Sequence, residues 1–422
     1  MQYSFLTTEN CEKKLNVKLS IRKQSELFEH EKELLKNANL HGIADVEAWT
    51  AEGTNKEMAY STHGAFRFFG KFPPPIATHM INSYTTEHDL VWDPMCGSGT
   101  TGVECLLTGR RCMLNDVNPL SRLLARVKTR YIPHEKLLGA VERVKKVYRP
   151  VGFDEVNFQL KGLRNPDHWF LPETSRSLLG LRQAIEKETD PYLRDFLWLV
   201  FASIIRRVSR ATTEQGRLFL DEKTALEDAL PTFLKRAEIA IKGISTLPPN
   251  GESIINITEF NLIETVPDEF QHTAKLAIVH PPYFNSYKYS SINSLELAWL
   301  GYNISEIRRS EVREFFKVGK PENVHRYVED MVKVIRNAKK LIVPNGVMGL
   351  MIGDTIMKKT HIPVTRMILD HLVDEDLTVE TIALRVPKYT EATWVASQRR
   401  KGNNVGVSLY DYIIILRRRQ KS

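Results

Sequence analysis

The sequence predicts an α/β fold in which a mainly parallel sheet is interrupted by a large helical insertion. Three observations predict it. A short apolar run, Leu90-Val91-Trp92, leads into Asp93-Pro94-Met95-Cys96-Gly97-Ser98-Gly99-Thr100, and a helical pattern follows over residues 101–109. Further apolar runs at residues 112–114, 253–257, 275–279 and 347–352 have the length of buried strands. Over residues 129–251 this rhythm stops, and helical patterns take its place at 136–148, 175–187, 193–208 and 224–244.

The first of these segments is a strand, a glycine turn and a helix start. Gly97 and Gly99 flank the small Ser98, so the backbone can turn tightly and approach a ligand closely. The helix N-terminus behind them offers free N–H groups to an anionic group such as a carboxylate. No Gly-Lys-Ser/Thr follows, which excludes a phosphate-binding P-loop, and the spacing is not GxGxxG. At the tip of the second strand, about 20 residues on, stands Asp116, where an acid suits hydrogen bonding to ribose hydroxyls.

Composition sets outer bounds. The 422 residues suffice for one large domain or two. No run of about 18 apolar residues occurs, so no membrane span is expected. The first residues lack the basic-then-apolar pattern of a secretory signal. Cys11, Cys96, Cys105 and Cys112 form no CxxC pair, and no Cys/His cluster has zinc spacing. Reduced thiols in a cytoplasmic protein without a metal site are therefore expected. A net charge of +8 favours a polyanionic partner, because Lys and Arg neutralise phosphates.

In chain order, residues 1–58 are polar and read as a helical arm. Residues 59–128 and 252–422 form the α/β domain, and 129–251 form the insertion. The stretch from Tyr60 to Pro75 is aromatic and basic, and its closing prolines make it an extended loop. The insertion carries Arg206, Arg207, Arg210 and Arg217. Arg206 and Arg210 stand i, i+4 on one predicted helix face, which suits phosphates but also describes a solvated helix end. The run at 275–279 delivers His280-Pro281-Pro282-Tyr283. Residues 324–342 read as an amphipathic helix with Val324, Tyr327, Val328, Met331, Ile335, Ala338 and Leu341 on one face. Two late strands, 378–386 and 407–416, are joined by a loop holding Lys388, Arg399, Arg400 and Lys401, and Arg417 to Arg419 read as a solvated tail.

The turn from Asp93 to Thr100 and the loop from His280 to Tyr283 together resemble the two signatures of the S-adenosylmethionine-dependent amino-methyltransferases of DNA. These read D-P-x-x-G-S-G-T and D/N/S-P-P-Y/F. The first matches throughout; the second departs at His280. The resemblance implies a seven-stranded, Rossmann-like class I methyltransferase sheet closed by the late hairpin, with S-adenosyl-L-methionine as cofactor. It implies cofactor-binding roles for Asp93, Pro94, Cys96, Gly97, Ser98, Gly99 and Thr100, and for Asp116 and Asn118 of the Asp-x-Asn-Pro after the second strand. The stretch before the glycine turn is similar to the family's H-G-x-x-x-Y-x-x-K-F-P-P, which puts Lys71, Phe72 and Pro73 beside the cofactor's methionine end. Glu259 stands where the family has an acid near the adenine. Lys288 stands where similar runs have Asp, a charge reversal that puts target preference in doubt, and it joins Arg206 and Arg210 as a nucleic-acid contact.

The same resemblance implies methyl transfer to an exocyclic base amine. Such an amine is a poor nucleophile, and an enzyme helps by accepting its hydrogen bonds as it pyramidalises. The Pro281 carbonyl accepts, Pro281 and Pro282 stiffen the loop, and Tyr283 offers a flat face to a base taken out of its stack. His280 supplies a second acceptor only as a neutral imidazole, so activity is expected to fall as pH drops through its pKa. The partner implied is double-stranded DNA with its target base flipped out, with room for a cognate restriction nuclease. Asp before Pro-Pro-Tyr leans to N6 of adenine and Ser to N4 of cytosine; the non-acidic His280 tilts the choice toward cytosine. An RNA base-amine methyltransferase and a catalytically altered nucleic-acid-binding protein are the alternatives.

Overall fold

Each predicted strand joins one sheet in the computed structural model, which describes residues 14, 16–38, 42, 44–152, 160, 163, 165–214, 217–222, 226–249, 254–284, 289–312, 321–357, 360–372, 376–386 and 411–420. The strands are β1 (Lys18–Lys23), β2 (Asp45–Glu52), β3 (Leu90–Asp93), β4 (Arg111–Asn115), β5 (Ala211–Glu214), β6 (Arg217–Leu220), β7 (Ile255–Thr258), β8 (Ala274–Val279), β9 (Ile342–Gly353), β10 (Thr355–Met357), β11 (Thr360–Ile362), β12 (Leu377–Arg385) and β13 (Asp411–Arg418). The helices used below are α1 (Glu29–Ala38), α2 (Pro74–Tyr84), α3 (Thr100–Thr108), α4 (Pro119–Lys128), α5 (His134–Val147), α6 (Pro172–Glu186), α7 (Pro191–Ile205), α8 (Ala229–Ile244), α9 (Ser294–Trp299) and α10 (Pro321–Leu341).

The main sheet runs β1-β2-β12-β13-β9-β8-β3-β4-β7. Central β3 pairs in parallel with β4 and with β8, and β13 is antiparallel to both β9 and β12. Alternation along the strands explains why both faces are covered. Val91, Leu276, Ile278, Ile413 and Ile415 pack with Ile76 and Met80 of α2. Their neighbours Trp92, Ala277, Val279, Ile414 and Leu416 pack with Met331, Ile335 and Ala338 of α10 on the other face. Burial on two sides is what makes these strands near-continuous apolar runs, each large side chain contributing about 1.5–3 kcal/mol. The strand order reverses between β3 and β8, and an open sheet of this kind has its crevice beyond the carboxyl ends of those strands. Asp93 ends β3, and His280 follows β8.

The expected seven strands, β7 to β12 in sheet order, are joined by two more. The N-terminal arm is therefore not simply helical. Around α1, β2 pairs in parallel with β12, and β1 pairs antiparallel with β2. β1 is the edge strand, with no buried residue, so its sequence stays polar and looks like a helical lead-in. Lys23 meets Glu47 there, and Trp49 Nε1–H donates to Glu47 Oε2 (2.6 Å).

The insertion is mostly helical, with the hairpin β5–β6 added. Its core joins α5, α6, α7 and α8 through Leu137, Leu178, Phe196 and Phe233. The same core takes in Phe66 and Phe68 from before the glycine turn and Leu295 and Trp299 from α9. The insertion thus shares its core with the loops beside the crevice. The expected basic tail also differs: Arg417 pairs with Glu380, Arg418 with the Ile342 carbonyl, and Arg419 Nε–H donates to Thr378 Oγ1 (2.8 Å). The loop with Lys388, Arg399, Arg400 and Lys401 lies outside the described residues. Among the described residues no helix is long and apolar enough to cross a membrane.

Candidate active site

The crevice is a cleft of about 800 Å³, open at its mouth. One wall is the glycine turn. Asp93 is buried, accepting from Thr101 Oγ1–H (2.5 Å) and from the Met95 N–H (3.3 Å), and burial pushes its carboxyl up to about 7. It braces the turn from behind. Gly97 (φ +47°) and Gly99 (φ +74°) lie in the left-handed region, and a Cβ on Gly97 would stand 3.3 Å from the Phe68 ring. The Gly97 N–H donates to Asp116 Oδ2 (2.9 Å), and the Asn118 N–H to Oδ1 (2.8 Å). The Asn118 side chain also caps α4 through the Leu120 N–H (3.0 Å). Lys128, buried beneath the turn, donates to the Ser98 carbonyl, and burial pulls its ammonium down to about 7.

The opposite wall is the loop after β8. His280 Nε2 lies 3.2 Å from Tyr283 Oη, and its ring meets Phe72 edge to face at 5.3 Å. Burial, and then the nearby Arg385, lower the His280 pKa to about 3. The imidazole is therefore neutral at ordinary pH. The fall in activity expected as pH drops through its pKa is thereby moved down to about 3. Tyr327 Oη–H donates to the Pro282 carbonyl (2.7 Å) and fixes the loop onto α10.

Lys71, Phe72, Pro94, Cys96, Gly97, Ser98, Thr100, Asp116, Asn118, His280 and Pro282 all line this one cleft. The remaining predicted residues stand elsewhere. Pro73 is the N-cap of α2, and Gly99 packs on Ala125. Pro281 is buried, and the Tyr283 ring edge lies against Gly353 and His280. Glu259 is not in the cleft lining; it is exposed and paired with Arg122 (2.8 Å). The Asn115 side chain holds the N–H (2.8 Å) and carbonyl (3.0 Å) of the next residue, Phe260, which does line the cleft.

Arg206 and Arg210 do not form a helix face. Helix α7 ends at Ile205, so the two are separated by a turn. Arg206 is tied to Glu296 (3.0 Å), the Ile292 carbonyl and Thr213. A buried carboxylate such as Glu296 demands a cation. Arg210 binds the carbonyls of Asp167 and His168. Lys288 lies outside the described residues.

Several lining residues had no sequence signal. Glu311 faces the glycine wall from a distant loop, with Asn118 Nδ2–H donating to its Oε1 at 3.5 Å. Burial pushes its carboxyl up to about 7 against the hydrogen bonds of Ser290. Phe68 and Tyr289 stack at 5.5 Å with 17° between their planes, and both line the cleft. Phe68 sits in the aromatic stretch before the turn, but nothing local distinguishes it from Phe66 or Phe69.

Comparison with known proteins agrees with this geometry. A family model described as DNA methylase (N6 and N4) matches residues 5–132. The chain is 24% identical over 265 residues to the type II methyltransferase M.MvaI of Kocuria varians, covering 58% of each chain. It is 30% identical over 175 residues to M.MjaII of Methanocaldococcus jannaschii, covering 40% of this chain and 33% of that one. It is 23% identical over 279 residues to M.BsoBI of Geobacillus stearothermophilus, covering 59% and 54%. The chain thus spans between a third and three-fifths of the length of these curated relatives.

Proposed function

We propose, from its likeness to DNA methylases and to the amino-methyltransferase signatures, that the chain methylates an exocyclic base amine of double-stranded DNA, N4 of cytosine ahead of N6 of adenine. The observation that carries this reading is that His280 and Pro282 after β8 share one cleft with the glycine turn after β3. A donor held at one wall then faces an acceptor loop at the other.

The residues present suit S-adenosyl-L-methionine. Gly97 leaves no Cβ between its backbone and the Phe68 ring, so a ligand can lie close to the turn. Asp116 keeps lone pairs for ribose hydroxyls beyond the two N–H groups it already accepts. Phe260, Leu262 and Ile263 supply an apolar wall for a flat heterocycle. Lys71 and Phe72 border the end nearer His280. When bound, the cofactor supplies a methyl group activated by a sulfonium.

The chain's own part is to orient and polarise the amine. A neutral imidazole carries one bare nitrogen. If the Nε2–H of His280 donates to Tyr283 Oη, its Nδ1 is an acceptor for the amine; in the other tautomer Tyr283 donates and Nε2 is occupied. In this reading the Pro281 carbonyl is the second acceptor: Pro281 itself is buried, and Tyr327 anchors the loop at the neighbouring Pro282, which lines the cleft. Tyr283 positions His280 through their hydrogen bond. The target base must leave its stack to reach this depth, and a nuclease reading the same site is the partner such an activity protects against.

Nucleoside mass spectrometry after incubation with S-adenosyl-L-methionine tests the reading, with unmethylated genomic DNA and total RNA as separate substrates. N4-methylcytosine in the DNA is the expected product. N6-methyladenine would keep the reaction and change the base. Methylation of RNA alone would overturn the DNA reading. Silence in both, with cofactor still bound, would mark His280 as the site of a lost activity.

A further inference from the structure

The loop through residues 64–71 carries side chains with different surroundings. Phe68 and Lys71 line the cleft, whereas Arg67 is exposed and does not. The Arg67 guanidinium lies 5.0 Å from the centre of the Phe69 ring, and the Arg206 guanidinium lies 5.9 Å from the same ring. Arg236 of α8 reaches the same loop, donating to the carbonyls of Ala65 (2.6 Å) and Gly64 (3.4 Å) and to Ser203 Oγ (3.3 Å). Arg207 follows Arg206 directly, half-exposed, with Glu227 at 3.8 Å. Three guanidiniums, of Arg67, Arg206 and Arg236, therefore meet this loop beside the cleft, and Arg207 is close enough to act electrostatically on Arg67 and Arg236.

Their neutralisation is incomplete. Glu296 answers Arg206, and the half-exposed Glu227 answers Arg207 at long range. Among the described residues Arg67 has no carboxylate partner, and partial desolvation and the nearby Arg206 and Arg207 disfavour its charge. Like charges crowded in this way are destabilising unless an anion joins them. Arg206 and Arg236 are committed to internal acceptors, which leaves Arg67 and Arg207 with donors to spare. A guanidinium fork matches a phosphodiester in shape and charge.

We infer that Arg67 and Arg207 form a phosphate-binding site for the strand that carries the target base, next to the mouth through which that base enters. This rests on the DNA reading proposed above. It moves the electrostatic contact from the Arg206 and Arg210 expected from sequence to a pair set by tertiary packing. The site holds the backbone and reads no bases, so it contributes affinity without sequence preference.

The test is fluorescence anisotropy of a labelled unmethylated duplex between about 50 and 200 mM salt, with wild type, R67A, R207A and the double variant. Each single variant is expected to bind about five- to tenfold more weakly at the low-salt end and to flatten the log–log salt slope by about 1. Wild-type affinity for S-adenosylhomocysteine in each variant shows that the cleft is folded. If wild type binds the duplex and the double variant keeps its slope, the phosphate site is wrong while the DNA reading stands. If wild type itself shows no salt-dependent duplex binding, the DNA reading fails and this site with it.

Discussion

His280 occupies the position that is acidic, amide or hydroxyl in the family signature, and its surroundings keep it uncharged. Burial lowers its pKa to about 3, so the neutral form prevails down to that value. A pH–rate profile from 5.5 to 8 should therefore contain no inflection from this group; one that vanishes in His280→Asn would show that burial does not suppress its charge. His280→Ala should remove most turnover and leave cofactor affinity intact, measured by calorimetry beside the rate. Glu311 behaves in the opposite sense. Its carboxyl is raised to about 7 from an ordinary value near 4.5, chiefly by burial, with Asp116 adding to it. Between those values the folded chain holds a proton that the unfolded chain has lost, so this group makes stability fall as pH rises. Glu311→Gln should therefore raise the melting temperature at pH 8 and change it little at pH 5. A larger gain at pH 5 would contradict the assignment.

At the scale of elements, the glycine turn is specified locally. Gly99 is the N-cap of α3 at φ +74°, and a Cβ there would meet Ala125 Cα at 3.2 Å. Gly99→Ala should cost about 1–2 kcal/mol from the left-handed backbone alone, read as a lower urea midpoint. An unchanged midpoint would mean that the turn relaxes freely. Helix α7 shows the reverse case. Its pattern reads on past Ile205 from sequence, but the helix stops there and Arg206 turns to Glu296, far along the chain. The supposed i, i+4 pair vanished because a long-range ion pair outweighed a local periodicity.

At the scale of the whole molecule, one carboxylate joins the arm, the loop before the glycine turn and helix α2. Glu104 of α3 is fully buried and accepts from Tyr60 Oη–H (2.6 Å), Thr78 Oγ1–H (2.5 Å) and Lys14 Nζ–H (3.2 Å), and it meets His63 Nε2 at 2.8 Å. The insertion closes on the same loop, since a Cβ on Gly243 of α8 would stand 2.7 Å from the Ser61 carbonyl. Lys14 and its neighbours hold the Glu104 carboxyl well below the usual range, and burial lowers His63 to about 4. The signs agree. From pH 6.5 down to about 4 the unfolded chain takes up a proton on this imidazole that the folded chain refuses, and below about 4.5 the same holds for Glu104. These two groups thus contribute a loss of stability on acidification from about pH 6.5, opposite in sign to Glu311 and Asp93, and His63→Phe should remove the imidazole's share of it in denaturant titrations. Glu104→Ala should cost about 3–5 kcal/mol, because the buried Lys14 would lose its carboxylate.

What the sequence by itself determined is what short-range geometry dictates. Left-handed turns demand Gly97 and Gly99, strands covered on both faces demand unbroken apolar runs, and a proline pair stiffens the loop after β8. Those features made the α/β sheet, the glycine turn and the His280 loop legible. Tertiary structure alone decided which charges are free. It paired Glu259 with Arg122, bound Arg206 to Glu296, brought Glu311 to the cleft, and recruited β1 and β2 to the sheet edge. The physical reason is that burial and charge pairing are sums over neighbours distant in the chain. No local pattern of residues carries them.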